Sequence, residues 1–296
     1  MRFGADQGLV YVGIPLWIGS FTNHSIEEIS KLLLDNKIDL VELSIDYPWP
    51  QKQEELLKKA ISSFTNDFKI AIHAPWRDLP LASPYDSVRR AVVNELLEII
   101  DNIYEVYGEI EYIVFHPLTM QRIELFDNRR DAINALRNSL IEIATKLPEK
   151  TYLLIENLTR GFGSEISNLV EALDTIEQNN VGLCLDIGHL ASRYIREIAE
   201  SNIYSDFYDY LKDVLGIIEK TLVPVIHIHD VDDKGREHLI IGDGSLSFKT
   251  IYKLVRVLKP KYIVYEMFRS RKTKININEI AKIIGGQKSW VKVYLV

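Results

Sequence analysis

Eight short apolar runs recur along the chain, at 10–16, 40–45, 68–73, 112–116, 152–156, 181–187, 223–229 and 262–267. Most are continuous in valine, isoleucine, leucine and aromatics rather than alternating with polar residues. Strands buried on both faces read this way, as in parallel sheets covered by helices. Between the runs lie amphipathic segments that predict helices. Ser25 opens one over 25–35, with Glu28 three residues on completing a capping box. Further helices are predicted at 51–63, at 83–107 from Ser83-Pro84 to Gly108, at 127–146 before Pro148, and at 164–178. A long one over 190–220 is expected to break near Ser201-Asn202, and another spans 247–258 before Pro260. A short helix over 278–284 is expected to end at Gly285-Gly286, and the tail 289–296 reads as a further β-rich segment.

Eight strands alternating with eight helices predict an α/β fold, a single (β/α)8 TIM barrel domain over residues 1–296. A doubly wound open sheet is the alternative. It would carry a glycine-rich dinucleotide turn after the first strand, where Gly13 is instead followed by Pro15.

The composition agrees with a globular chain: 296 residues, 47% hydrophobic and 26% charged. It excludes disordered, collagen-like and coiled-coil classes. No apolar run reaches the ~18 residues of a spanning helix, so no membrane partner is expected. The segment from Met1 to Val10 carries Asp6 and Gln7 and lacks a signal-peptide core. The single cysteine, Cys184, cannot form an intrachain disulfide, and a cytoplasmic location is expected. A formal charge of −7 disfavours nonspecific binding to nucleic acid.

The candidate chemistry lies at the ends of the strands. Of seven histidines, His24 falls in a polar helix-start segment and reads as a surface residue. The other six sit at or just beyond a strand C-terminus: His73, His116, His189, His227, His229 and His238. Carboxylates join them at Glu156, Asp186, Asp230 and Glu266. In a barrel all these ends converge on one mouth. Glu156, Asp186 and Glu266 stand in otherwise apolar strands, where an unpaired carboxylate costs several kcal/mol, so each needs a partner or a metal. Few lysines or arginines lie near. His227 and His229 share a strand face, one as a metal ligand and the other as a ligand or a support. Mixed nitrogen and oxygen donors suit a divalent ion, with zinc or manganese ahead of magnesium, cobalt and iron. Glu42 lines the mouth or pairs with a neighbour. Trp76 and Trp17 stack on a substrate ring or cap the barrel, and Arg236 suits a substrate phosphate or carboxylate.

The order H-A-P, F-H-P, I-E-N, L-D-I-G-H, H-I-H-D, E-H-L-I-I-G-D-G and Y-E resembles the xylose isomerase-like barrel superfamily, from the third strand to the eighth. That group includes sugar isomerases, epimerases and endonuclease IV. The isomerase branch implies one divalent metal held by Glu156, Asp186, His227 and Glu266. In it the two glutamates also move a proton beside a substrate carbonyl through a metal-stabilised enediolate. His189 then contacts substrate or supports the site. The partner is a carbohydrate, phosphorylated or not, and homo-oligomers are expected by analogy.

Resemblance to endonuclease IV implies more metal and an abasic-site DNA substrate. It adds a second site at His73 and His116 and a third at His189 and His238. Arg236 departs from that pattern: it stands where an aspartate ligand belongs, and a guanidinium cannot ligate a metal. His229 departs too, standing where endonuclease IV has asparagine. His73 and His116 serve either a second metal or the substrate. A metal-dependent isomerase or epimerase is therefore the first expectation, the phosphodiesterase the alternative.

Overall fold

A computed structural model describes residues 9–17, 25–45, 54–77, 79–118, 129–270 and 276–295. His24 and the expected helix starts at 51 and 127 lie outside the described residues. The chain runs β1 (Tyr11–Trp17), α1 (Ile26–Asp35), β2 (Leu40–Ser44), α2 (Glu54–Phe64), β3 (Lys69–His73), α3 (Asp86–Val106) and β4 (Ile110–Phe115). It continues through α4 (Arg129–Ala144), β5 (Tyr152–Glu156), α5 (Ile166–Leu173), β6 (Val181–Asp186), α6 (Ile187–Arg193) and α7 (Phe207–Ile217). Last come β7 (Val225–Ile228), α8 (Phe248–Leu258), β8 (Tyr262–Tyr265) and α9 (Ile277–Leu295). The eight strands form a closed barrel in sequence order, with β8 pairing parallel to β1. This is the expected (β/α)8 barrel, and closure leaves no open sheet edge.

The strands look continuously apolar because they feed two cores. Leu40, Ala71, Tyr112, Val114, Leu154, Cys184, Val225, Tyr262 and Val264 form one buried cluster. The residues alternating with them, such as Val41, Ile70, Ile72, Ile113, Leu153, Leu183, Leu185, Ile226 and Ile263, belong to the larger cluster that also contains the helix residues. The first set lines the barrel axis and the second faces the helices. Gly13 belongs where the axis is tightest: a Cβ there would lie 2.7 Å from Leu40 Cδ2.

Local signals place the helices. Ser25 Oγ accepts the Glu28 N–H at 3.1 Å, and Glu28 Oε2 accepts the Ser25 N–H at 3.2 Å. The 190–220 segment breaks as expected. A π-helical turn over Tyr194–Ile198 and a 3-10 turn over Ala199–Ser201 lead to Asn202 in the left-handed region, φ 56°. Asp206 then caps α7 by accepting the Asp209 N–H at 2.8 Å. The C-terminal expectation is corrected. α9 passes through Gly285-Gly286 and takes in the tail expected to be β-rich. A Cβ at Gly285 would lie 2.8 Å from the Asn36 carbonyl oxygen. That glycine lets α9 approach the end of α1 rather than stop a helix. No helix among the described residues is long and apolar enough to cross a membrane.

Candidate metal centre at the barrel mouth

The inward alternation that builds the barrel core also delivers the polar residues. Two positions after Ala71, Val114, Leu154, Cys184, Val225 and Val264 come His73, His116, Glu156, Asp186, His227 and Glu266. Each is thereby turned to the same mouth. A pocket of about 330 Å³ opens there, lined by His73, Trp76, His116, Glu156, His189, His238 and Glu266. Asp186 and His227 are fully buried and lie outside the lining.

Glu156 is the hub. Its Oε2 lies 2.8 Å from His116 Nε2 and 3.2 Å from His73 Nε2, and its Oε1 lies 3.1 Å from His227 Nδ1. His227 Nδ1 also lies 3.4 Å from Glu266 Oε1. Donor atoms of Glu156, Asp186, His227 and Glu266 all fall within 4.8 Å of one another, as do those of His73, His116 and Glu156. Asn157 ties the strand ends together. Its side chain donates to the Asp186 carbonyl at 3.0 Å and accepts the Asp186 N–H at 2.8 Å. Asp186 Oδ1 in turn caps α6 by accepting the His189 N–H at 2.6 Å, while Oδ2 is buried with no hydrogen-bond partner.

These residues fit a divalent cation. Among the described residues no lysine or arginine pairs with Glu156, Asp186 or Glu266, whose ion-pair partners are all imidazoles. The orphaned Asp186 oxygen and the mixed nitrogen and oxygen donors suit zinc or a similar ion. Cys184 is grouped with Glu156 and His227, but burial raises its thiol well above the ordinary value, which keeps it protonated.

The hydrogen-bond pattern sets which imidazole nitrogen is free. His73 Nδ1 lies 3.0 Å from the Ala74 carbonyl, His189 Nδ1 2.8 Å from that of Asn157, and His238 Nδ1 3.1 Å from that of Glu266. A carbonyl only accepts, so each Nδ1 carries a proton and each neutral ring offers its Nε2 lone pair. His229 differs. Its Nδ1 lies 2.9 Å from the His238 N–H and 3.2 Å from the Asp230 carbonyl, and its Nε2 lies 3.3 Å from Asp186 Oδ1. His189 and His238 cluster with the His229 ring closely enough to hold a metal ion. Gly188 makes room for this ring: a Cβ there would lie 2.1 Å from it.

Burial disfavours every charge at the mouth, and local partners decide the outcome. His73 is pushed up to about 9, because the hydrogen bond and charge of Glu156 outweigh burial. His189 also rises to about 9, through Asp186 and Glu156. Burial is likewise outweighed at Glu156, where three imidazoles hold the carboxyl well below the usual range. Glu266 has fewer such contacts, and burial pushes it up to about 7. The two glutamates thus differ sharply in acidity.

The remaining expectations fall differently. Trp76 lines the pocket, tilted against His116 at 5.8 Å. Arg236 does not reach it. Its guanidinium pairs with Asp232 at 2.5 Å, and its side chain is 62% exposed. His229 is fully buried and also outside the lining. Asp230 is committed to the following loop, accepting the N–H groups of Gly242 and Gly244 at 2.9 and 2.8 Å. Ser44, Thr159, Arg160, Glu237 and Phe268 line the pocket without having been singled out from the sequence. Phe268 had a usable signal, the two-residue step from Glu266. Arg160 sits in an irregular loop and had none.

A family model described as xylose isomerase-like TIM barrel matches residues 31–291. The chain belongs to that family. Among curated proteins it is 28% identical over 239 residues to the uncharacterized protein MJ1311 of Methanocaldococcus jannaschii, covering 77% of this chain and 71% of that one. It is 26% identical over 177 residues to a probable endonuclease 4 of Persephonella marina, covering 57% and 59%. Among solved structures, a D-tagatose 3-epimerase-like protein superposes with a TM-score of 0.68, 20% identity and 97% coverage of both chains. An IOLI protein with a bound zinc atom gives 0.67 at 17% identity, covering 96% of this chain and 98% of that one. At such identities the two structures share the fold.

Proposed function

We propose that the protein is a divalent-metal-dependent isomerase or epimerase of a sugar or sugar phosphate. The observation that carries this reading is the placement of Glu156 and Glu266. They come from β5 and β8, both line the pocket, and His227 lies between them at 3.1 and 3.4 Å. Glu156, Asp186, His227 and Glu266 would hold the ion, which supplies a Lewis acid for neighbouring substrate oxygens. Glu156, held as the carboxylate by its imidazole neighbours, faces the pocket as one acid–base group of the pair. Glu266, whose pKa burial raises to about 7, is set to hold a proton and return it. His189 and His238 offer Nε2 toward substrate hydroxyls, and Trp76 offers an aromatic face to the sugar ring. The epimerase-like and zinc-binding neighbours support the reading. The soluble compartment expected from the sequence, the cytoplasm, is part of the proposal.

The test is solvent-proton exchange. The zinc- or manganese-loaded protein is incubated in heavy water with a panel of ketoses and their phosphates and followed by proton NMR. Deuterium entering beside the carbonyl, and lost in Glu266→Gln, supports the reading. Cleavage of abasic DNA with no exchange on the panel would replace it with the phosphodiesterase alternative. That alternative is weakened by Arg236, which pairs with Asp232 outside the pocket lining.

A further inference from the structure

Glu42 takes no part in the carboxylate donor group of the mouth, yet it is fully buried on β2, at the next inward position beyond Leu40. Its Oε2 accepts the Tyr112 hydroxyl at 2.7 Å and lies 3.0 Å from His227 Nε2. Its Oε1 is buried with no hydrogen-bond partner. Among the described residues its ion-pair partner is His227, with no lysine or arginine. Burying a carboxylate this deeply costs several kcal/mol, so the position calls for a reason.

His227 supplies one. A carboxylate can only accept, so the His227 nitrogen facing Glu42 must carry a proton. The other nitrogen, Nδ1, faces two further carboxylates, Glu156 Oε1 at 3.1 Å and Glu266 Oε1 at 3.4 Å, so its proton is the one a metal ion held by those carboxylates would replace, while the Nε2 proton stays directed at Glu42. This ring is inverted relative to His73, His189 and His238, which anchor Nδ1 on backbone carbonyls and offer Nε2. His227 projects toward the barrel axis, so its anchor comes from a side chain on the opposite wall, 185 residues away in sequence.

We propose that Glu42 is a positioning residue that fixes His227 in the Nε2–H form, so that Nδ1 is its metal donor, and that Tyr112 holds Glu42 in place. A carboxylate anchor is charge-assisted and raises the basicity of the donor nitrogen beyond what a carbonyl achieves. The orphaned Oε1 leaves Glu42 with Tyr112 and His227 as its partners, so losing either changes its position. The inference rests on His227 being a metal ligand and does not depend on which sugar is turned over.

Zinc affinity by chelator competition tests it, together with long-range proton–nitrogen spectra of the zinc-loaded protein. Wild type should show His227 with zinc on Nδ1 and a proton on Nε2. Glu42→Gln should weaken zinc binding about 10- to 100-fold and replace that pattern with a mixture of ring forms. Tyr112→Phe removes no charge, and should weaken zinc by a smaller factor with a shifted Nε2–H signal. Glu42→Gln with zinc affinity within about twofold of wild type and an unchanged His227 signature would overturn the proposal. If Glu42→Gln fails to fold, an unchanged signature and affinity in Tyr112→Phe would do the same. His227→Ala separates the two layers. If it keeps full zinc affinity, the metal centre itself is misassigned. If it loses zinc while Glu42→Gln does not, Glu42 alone is.

Discussion

The two ends of this barrel both hold carboxylates, part-buried at one and buried at the other, and they neutralise them differently. At the N-terminal ends of the strands, Glu111 pairs with Lys69, receives the Tyr262 hydroxyl, and has Lys261 at 3.7 Å. Ammonium groups there satisfy the charge permanently, and the Glu111 carboxyl is held low although partial burial opposes it. At the C-terminal ends, the ion-pair partners of Glu156 and Asp186 are all imidazoles among the described residues. Imidazole can give up its proton near neutral pH and an ammonium cannot. The lower end is therefore a closed structural plug. The upper end holds protons that a metal ion can replace.

Glu156→Gln tests the upper end most severely. It removes the carboxylate shared by both donor groups, and zinc affinity should fall by more than about 100-fold, read as metal per chain after removal of loose ions. Full zinc occupancy would erase the distinction between the ends. Glu111→Gln should do the converse. Zinc content should stay unchanged, while stability in denaturant unfolding falls by about 1–3 kcal/mol from the broken pair. A loss of metal in that variant would show that the ends are coupled.

pH sharpens the comparison further. His73 and His189 stand at about 9 in the metal-free fold, against about 6.5 for an unfolded histidine. Their stabilisation is complete below about pH 6.5 and is lost as pH rises toward about 9. The metal-free protein should lose stability across that window, at up to about 1.4 kcal/mol per pH unit for each ring. Zinc should reverse the trend, because it takes the place of those protons. A flat profile without metal would show that these rings are not proton-loaded by their carboxylates. The smallest effect belongs to Arg236→Ala. This exposed arginine pairs with Asp232, so zinc affinity should stay unchanged and stability should move by about 1 kcal/mol or less.

Much of the site is legible in the chain because strand ends announce themselves. A polar residue closing an apolar run, as in YIVFHP or LLIEN, is costly unless it reaches a mouth or a partner. Fold and donors could therefore be read from the same eight runs. The direction of Arg236 was not legible, because it depends on how the loop after β7 bends Asp232 onto the same backbone stretch. Nor was the course of α9. Gly285-Gly286 carries the local signature of a helix end, and only contact with Asn36 shows why glycine stands inside one.

The sequence by itself determined the alternation of strand and helix, the closed barrel and the set of imidazoles and carboxylates at its mouth, because hydrophobic period and burial cost are local properties. Only the tertiary structure decided which nitrogen each imidazole offers. It set His229 against the His238 amide and His227 against Glu42, across separations that no spacing rule reaches. A ring's free lone pair is chosen by whatever hydrogen-bonds its other nitrogen, and that partner exists only once the barrel has closed.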